Sequence, residues 1–236
     1  MPKDRTIKVY QFDELDETAK EKAREWYREG NCEDSYWSES VIDDAATVAE
    51  YMGIDIKQTP VKLMNGETRY KPTVYYSGFW SQGDGACFEG TWRAGDVQAD
   101  KLKEYAPQDK ELHRIVDGLA EIAKEYPDGY FSVRHSGHYS HSGCTRFDVE
   151  LPNAQEDELE YDSPEWKALQ VKLGEDEETL IQLARDLMDW IYRQLEKEWD
   201  YQNSDEQVDE TIRANEYMSF WRMGQEPNKS GKPKLY

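Results

Sequence analysis

Residues 131–151 read FSVRHSGHYSHSGCTRFDVEL. Phe131 and Val133 lead into a turn rich in His, Ser and Gly, and Phe147, Val149 and Leu151 lead out of it. Arg146, Asp148 and Glu150 alternate with the outgoing apolar set, so this strand has one apolar face and one wet face. A hairpin of that kind belongs to an antiparallel sheet packed on a core along one side. What flanks it is largely helical in period, which makes the chain α+β.

Working toward the N-terminus, Leu112, Ile115, Val116, Leu119, Ile122 and Tyr126 mark a helix over about 109–126. Before it, residues 72–80 and 86–92 read as a hairpin closed by Gly and Asp. Asn65-Gly66 is the dipeptide preferred in a two-residue type I′ turn. Trp37, Val41, Ala45, Val48 and Met52 define a helix from about Ser35, ended by Gly53. Leu15, Ala19, Ala23, Trp26 and Tyr27 define another, which Gly30 is placed to cap. Residues 5–10 (RTIKVY) alternate like a short strand. Beyond the hairpin, 152–164 is acidic and Pro-flanked and reads as a linker. A short helix at 164–172 is expected next. A long helix then starts near Glu175, with Leu180, Leu183, Leu187, Ile191, Leu195 and Trp199 as its stripe. A last helix runs from about Ser204 to Tyr217, and the tail 222–236 is basic. The expected division is an α+β core over 1–152 and an acidic helical extension over 153–236, either separate or packed into the same core.

The 236 residues carry a formal charge of −21. Leu, Ile, Val and Phe number only 40, a poverty typical of disordered acidic chains. The 8 Trp, 16 Tyr and 6 Phe decide against disorder, because aromatic side chains bury large areas and can build a core. No apolar run approaches the length of a membrane span. MPKDRTIKVY lacks the apolar segment of a secretory signal, so a cytoplasmic location and reduced Cys32, Cys87 and Cys144 are expected. A pI near 4.6 disfavours direct nucleic-acid binding. From Glu156 to Glu210 there are 19 Asp and Glu against 5 Lys and Arg, a net of −14. That concentration reads either as a solvated face or as carboxylates offered in place of phosphates to a basic groove. Asp186 with Asp189, and Glu196 with Asp200, are the candidate binding residues there, since each pair projects from one side of the long helix.

Two segments stand out for chemistry. Three of the four His, at 135, 138 and 141, precede Cys144 closely. Imidazole and thiolate are the ligands zinc prefers. His135, His138, His141 and Cys144 could therefore hold Zn if the turn folds them together. Otherwise they form a polar hairpin, or touch a phosphate, and no cofactor is required. The second segment, residues 75–90, is YYSGFWSQGDGACFEG. Gly83 and Gly85 could form an anion-binding nest. Asp84 opposes that and suits a turn in which it bonds the backbone. Trp80, Gln82 and Asp84 are the candidate binding residues of this loop. Ser77–Gln82 and Ser136–His141 resemble each other, and each precedes a Gly and a Cys. Two equivalent hairpins lying side by side are expected, with Cys87 and Cys144 close together.

The stretches 9–29 (VYQFDELDETAKEKAREWYRE), 75–90, 105–115 (YAPQDKELHRI) and 133–144 (VRHSGHYSHSGC) together resemble a family of uncharacterised phage and prophage proteins. Some of its members are labelled antitoxins of toxin–antitoxin stability systems. The resemblance covers roughly residues 5–151 and implies a phage origin and action inside a bacterial cell. It assigns no catalytic residue. The first functional expectation is an acidic phage protein that binds and inhibits a host protein. The target would be a defence nuclease or CRISPR-type effector, blocked by occlusion of its basic nucleic-acid groove. One alternative is a small metal- or nucleotide-dependent enzyme centred on the His-rich hairpin. The other is an antitoxin that binds its toxin directly.

Overall fold

The computed structural model describes residues 9–31, 36–153 and 158–217. Residues 5–8 of the expected first strand, Cys32, part of the expected linker and the basic tail lie outside them. The chain is α+β, as expected. Helices α1 (Glu17–Asn31) and α2 (Tyr36–Tyr51) precede strands β1 (Met52–Ile56), β2 (Gln58–Lys62), β3 (Thr68–Pro72), β4 (Val74–Ser77), β5 (Gly85–Phe88) and β6 (Gly90–Val97). Helices α3 (Ala99–Tyr105) and α4 (Lys110–Glu125), strands β7 (Tyr130–His135) and β8 (Thr145–Glu150), and helices α5 (Pro164–Gln202) and α6 (Asp205–Ala214) complete it.

The central sheet is antiparallel in the order β1-β6-β7-β8. Its apolar face is built in cross-strand rows. Ile54 sits opposite Trp92, Trp92 opposite Phe131 and Phe131 opposite Val149. Trp92 and Phe131 stack, and the indole N–H of Trp92 donates to the Met52 carbonyl at 3.1 Å, so its one polar atom is satisfied inside the core. The opposite face carries Asp55, Arg93, Arg134, Arg146, Asp148 and Glu150, all exposed. That is the wet face read from β8. Helix α4 packs on β6 and is capped by Asp109, whose carboxylate accepts from the amides of Glu111 and Leu112. The other oxygen of Asp109 accepts from the indole of Trp190 in α5 at 2.9 Å.

Four local expectations differ from what the structure shows. Asn65-Gly66 does not make a type I′ turn, which needs positive φ at both residues; only Gly66 has it. The turn instead spans four residues, with Gly66 N donating to Leu63 O and Leu63 N to Glu67 O. Gly30 does not cap α1, which continues to Asn31. Gly53 has positive φ but lies within β1, where the register with β6 shifts. A Cβ there would stand 2.8 Å from the Arg93 carbonyl, so the bulge requires glycine. The two helices expected at 164–172 and from Glu175 are one helix of 39 residues, about 58 Å at 1.5 Å per residue. Gly174 costs such a helix only about 1 kcal/mol, less than the packing of Leu169 and Leu180 on either side of it.

The chain clusters into two compact units. One unit is Glu39–Glu196 and holds every strand from β1 to β8, with α3, α4 and most of α5. There Leu183 lies against Gly118 of α4, and a Cβ on that glycine would stand 2.9 Å from the leucine. The other unit combines Met1–Ser38 with Lys197–Tyr236. Its core is Phe12, Leu15, Ala23, Val208 and Ile212, with Tyr10, Ala19 and Tyr27 packed against it.

Candidate functional site

The β4–β5 loop and the β7–β8 loop meet. Tyr75 of β4 stacks on His135 at the end of β7, with ring centroids 4.5 Å apart. Gly83 and Gly85 allow the approach. A Cβ on Gly83 would be 2.8 Å from the Tyr139 ring, and one on Gly85 would be 2.5 Å from His141 Cβ. Only residues without side chains fit there, which is why the first loop is glycine-rich. Asp84 occupies the centre of its own loop, accepting from the amides of Trp80 at 3.0 Å and Ser81 at 2.6 Å. The N–H groups that could have cradled an anion are thereby filled from within. Phe79 stacks on Tyr192 of α5, whose hydroxyl donates to the Gly78 carbonyl at 3.2 Å. Trp80 is 79% exposed and Gln82 is also exposed.

The four expected zinc ligands do not converge. His135 Nε2 donates to the Tyr139 carbonyl at 2.9 Å. His138 packs edge-on against Tyr139. Only His141 and Cys144 meet, with Nε2 3.5 Å from Sγ. Among the described residues no group of three or more His, Cys, Asp and Glu is arranged to hold a metal. The His141–Cys144 pair is also not built as a nucleophile and base. Gly143 N–H donates to His141 Nδ1 at 3.1 Å, which leaves the ring proton on Nε2, facing the sulfur. A general base would need that nitrogen bare. Cys87 is buried, and burial foremost, with the nearby Cys144 and Glu89, pushes its thiol up to about 12. It is a protonated core residue.

This packing makes a direct prediction. Gly85→Ala drives a methyl group into His141 Cα and Cβ, which are backbone-anchored and cannot swing aside. It should cost about 1–3 kcal/mol and displace the amide resonances of Tyr139 and His141. Gly95→Ala, with nothing within 4 Å of its added carbon, serves as the control. Identical behaviour of the two variants would show that the loops do not touch.

The expected acidic residues separate on inspection. Asp186 is engaged, receiving Arg114 at 2.6 Å and Gln182 at 2.7 Å. Asp176 accepts from the Tyr126 hydroxyl. Asp189 and Asp200 are exposed, and Glu196 is half-buried. Asp189 and Glu196 fall in one row of α5 with Glu175 and Glu178, because steps of three, four and seven residues return to the same helical face. Asp200, the other member of the expected pair, belongs to the second compact unit. None of these five makes an ion pair among the described residues. Arg193, which falls in the same row, is tied to Glu111 at 2.6 Å. Burial, then the charges of Asp84 and Glu196, raise the Tyr192 phenol, so loop and stripe lie within electrostatic reach of one ring. Sequence reading missed Tyr192 and Arg114. Neither carries a local signal, and only the tertiary pairing of α5 gives them partners.

The fold is that of an α+β protein on an antiparallel sheet, with a carboxylate row and an aromatic loop pair on its surface. The chain belongs to DUF8835, a domain of unknown function, which matches it over residues 37–205. No curated protein and no solved structure matches it. No helix among the described residues is long and apolar enough to cross a membrane.

Proposed function

We propose that this protein is an inhibitory binding protein that occupies the basic nucleic-acid groove of a bacterial host protein, such as a defence nuclease or CRISPR-type effector. The observation that carries this reading is the row Glu175, Glu178, Asp189 and Glu196, unpaired along one face of α5 among the described residues. Like charges at helical neighbours cost a few tenths of a kcal/mol per pair. Asp186 and Asp176 of the same helix are engaged by Arg114, Gln182 and Tyr126, whereas the row makes no such contact among the described residues. Exposed Trp80 beside Phe79 and Tyr192 supplies the aromatic anchor that interfaces favour. The resemblance to phage proteins supports a partner inside a bacterium, and the antitoxin label of some of them is compatible with the same surface.

The test is kinetic. Proteins captured from bacterial lysate on the wild type, and displaced by single- or double-stranded nucleic acid, supply the partner. Reversing Glu175, Glu178, Asp189 and Glu196 to Lys should slow association at least tenfold at low salt. The wild-type rate should fall steeply between about 0.01 and 0.15 M salt, because exposed charges are screened over about 8–30 Å in that range. Equal rates for the two proteins, insensitive to salt, would refute occlusion by carboxylates.

A further inference from the structure

On the wet face of the central sheet, Arg134 of β7 and Arg146 of β8 stand directly opposite each other in the ladder. Both are exposed, and neither makes an ion pair or a side-chain hydrogen bond among the described residues. Directly opposed like charges destabilise a strand pair. This pair persists in a chain with 50 Asp and Glu, where a neutralising partner would be easy to supply. Asp148 lies one row along the same face, opposite Ser132, and does not engage either arginine. A third cation, Lys57, is close enough to Arg134 to feel its charge and is itself held by Glu89 at 2.7 Å. With Lys57 neutralised by Glu89, Arg134 and Arg146 are the two cations left unpaired at this end of the sheet among the described residues.

We infer that Arg134 and Arg146 form a binding site for a dianionic phosphoryl group, carried by a phosphomonoester or by inorganic phosphate. Two guanidinium forks side by side match the oxygens of one phosphoryl group, each able to bond two of them. Charge decides between ligands. Two uncompensated cations are neutralised by a dianion, whereas a carboxylate or a phosphodiester leaves one unpaired. A net charge of −21 repels a polyanion but penalises a small dianion far less. The ligand is therefore inorganic phosphate or a small molecule ending in phosphate, such as a nucleoside monophosphate. The site lies on the sheet and is independent of the α5 carboxylates.

Arginine Nε–H resonances of the full-length protein read the site directly. Inorganic phosphate and a nucleoside 5′-monophosphate are titrated in turn at pH 7.5 and constant ionic strength. Arg134 and Arg146 should shift together and saturate, while Arg93, exposed on the same face, stays still. Arg134→Gln should weaken binding about tenfold or more, as loss of a charge-assisted bond requires. Arg146→Glu creates a cross-strand ion pair with Arg134, so it should melt no lower than wild type and still lose phosphate. Binding should weaken at pH 5, where the phosphate is a monoanion. Tighter binding of the nucleotide than of inorganic phosphate identifies a phosphomonoester ligand; equal binding identifies free phosphate. Equal shifts from dimethyl phosphate or chloride, or unchanged affinity in both variants, would overturn the site.

Discussion

A fragment ending at residue 155 is expected to be molten or insoluble. It keeps all eight strands and helices α1 to α4, which look self-sufficient in sequence. It loses Leu180, Leu183, Ala184, Leu187, Met188, Trp190, Ile191 and Leu195, all buried. Burial of a large apolar side chain is worth about 1.5–3 kcal/mol, so the seven large ones represent roughly 10–20 kcal/mol. Whole domains are stable by only about 5–15 kcal/mol. The truncation also exposes the face of α4 at Gly118 that Leu183 covers, and leaves Asp109 without the Trp190 indole. Near-ultraviolet circular dichroism and thermal melting check this. A fragment with sharp aromatic bands and a cooperative transition would show that α5 is dispensable to the sheet.

How much of this was legible beforehand depends on the range of the signal. The strand alternation of 145–150 and the helical period of 110–125 are local, and both elements stand where their patterns put them. The meeting of the two loops was readable from the repeat of Ser77–Gln82 in Ser136–His141, but the shared sheet it suggested does not form: β4 and β5 make a two-stranded sheet of their own, and β7 and β8 belong to the central one. The role of Asp84 was readable too, since a carboxylate inside a glycine turn satisfies nearby amides. Helix α3 was missed because seven residues, with Leu102 alone fully buried, leave almost no period to detect. The break at 172–175 was misplaced for the opposite reason: an acidic run imitates a helix start. The tautomer of His141 is set by Gly143 N–H, a hydrogen bond that no spacing rule contains. The pairing of residues 9–31 with 197–217 in one unit rests on sequence separations near 185, beyond any periodicity.

One ion pair should carry much of that unit's stability. Arg24 of α1 and Asp209 of α6 bond through two parallel contacts, Nε to Oδ1 at 2.7 Å and a terminal nitrogen to Oδ2 at 2.8 Å. Their side chains are only 13% and 14% exposed. Removing one partner of such a pair typically costs about 3–5 kcal/mol, because the other charge stays desolvated. Glu21 and Asp205 also reach Arg24, at 3.2 and 3.8 Å, so Asp209→Asn should fall near the low end, about 3 kcal/mol. The small core around Phe12 has little to spare. The Arg24 guanidinium holds the Asp209 carboxyl below the usual carboxylate range. The unfolded chain therefore takes up this proton first. The pair's contribution is whole above a pH of about 4 and is lost as the pH falls through the lower folded value. The bond to Asp209 raises Arg24, so its contribution is whole below the ordinary arginine value and is lost only in strong alkali above it. Hydrogen exchange of the α1 and α6 amides should then accelerate in acid in the wild type. In Asp209→Asn it should be fast already at pH 7, with that acid step gone. Asp13→Asn removes the exposed partner of Arg213 and should change little, as exposed pairs do. If Asp209→Asn behaved like Asp13→Asn, the Arg24 pair would be ordinary surface and the unit would be held by its apolar core alone.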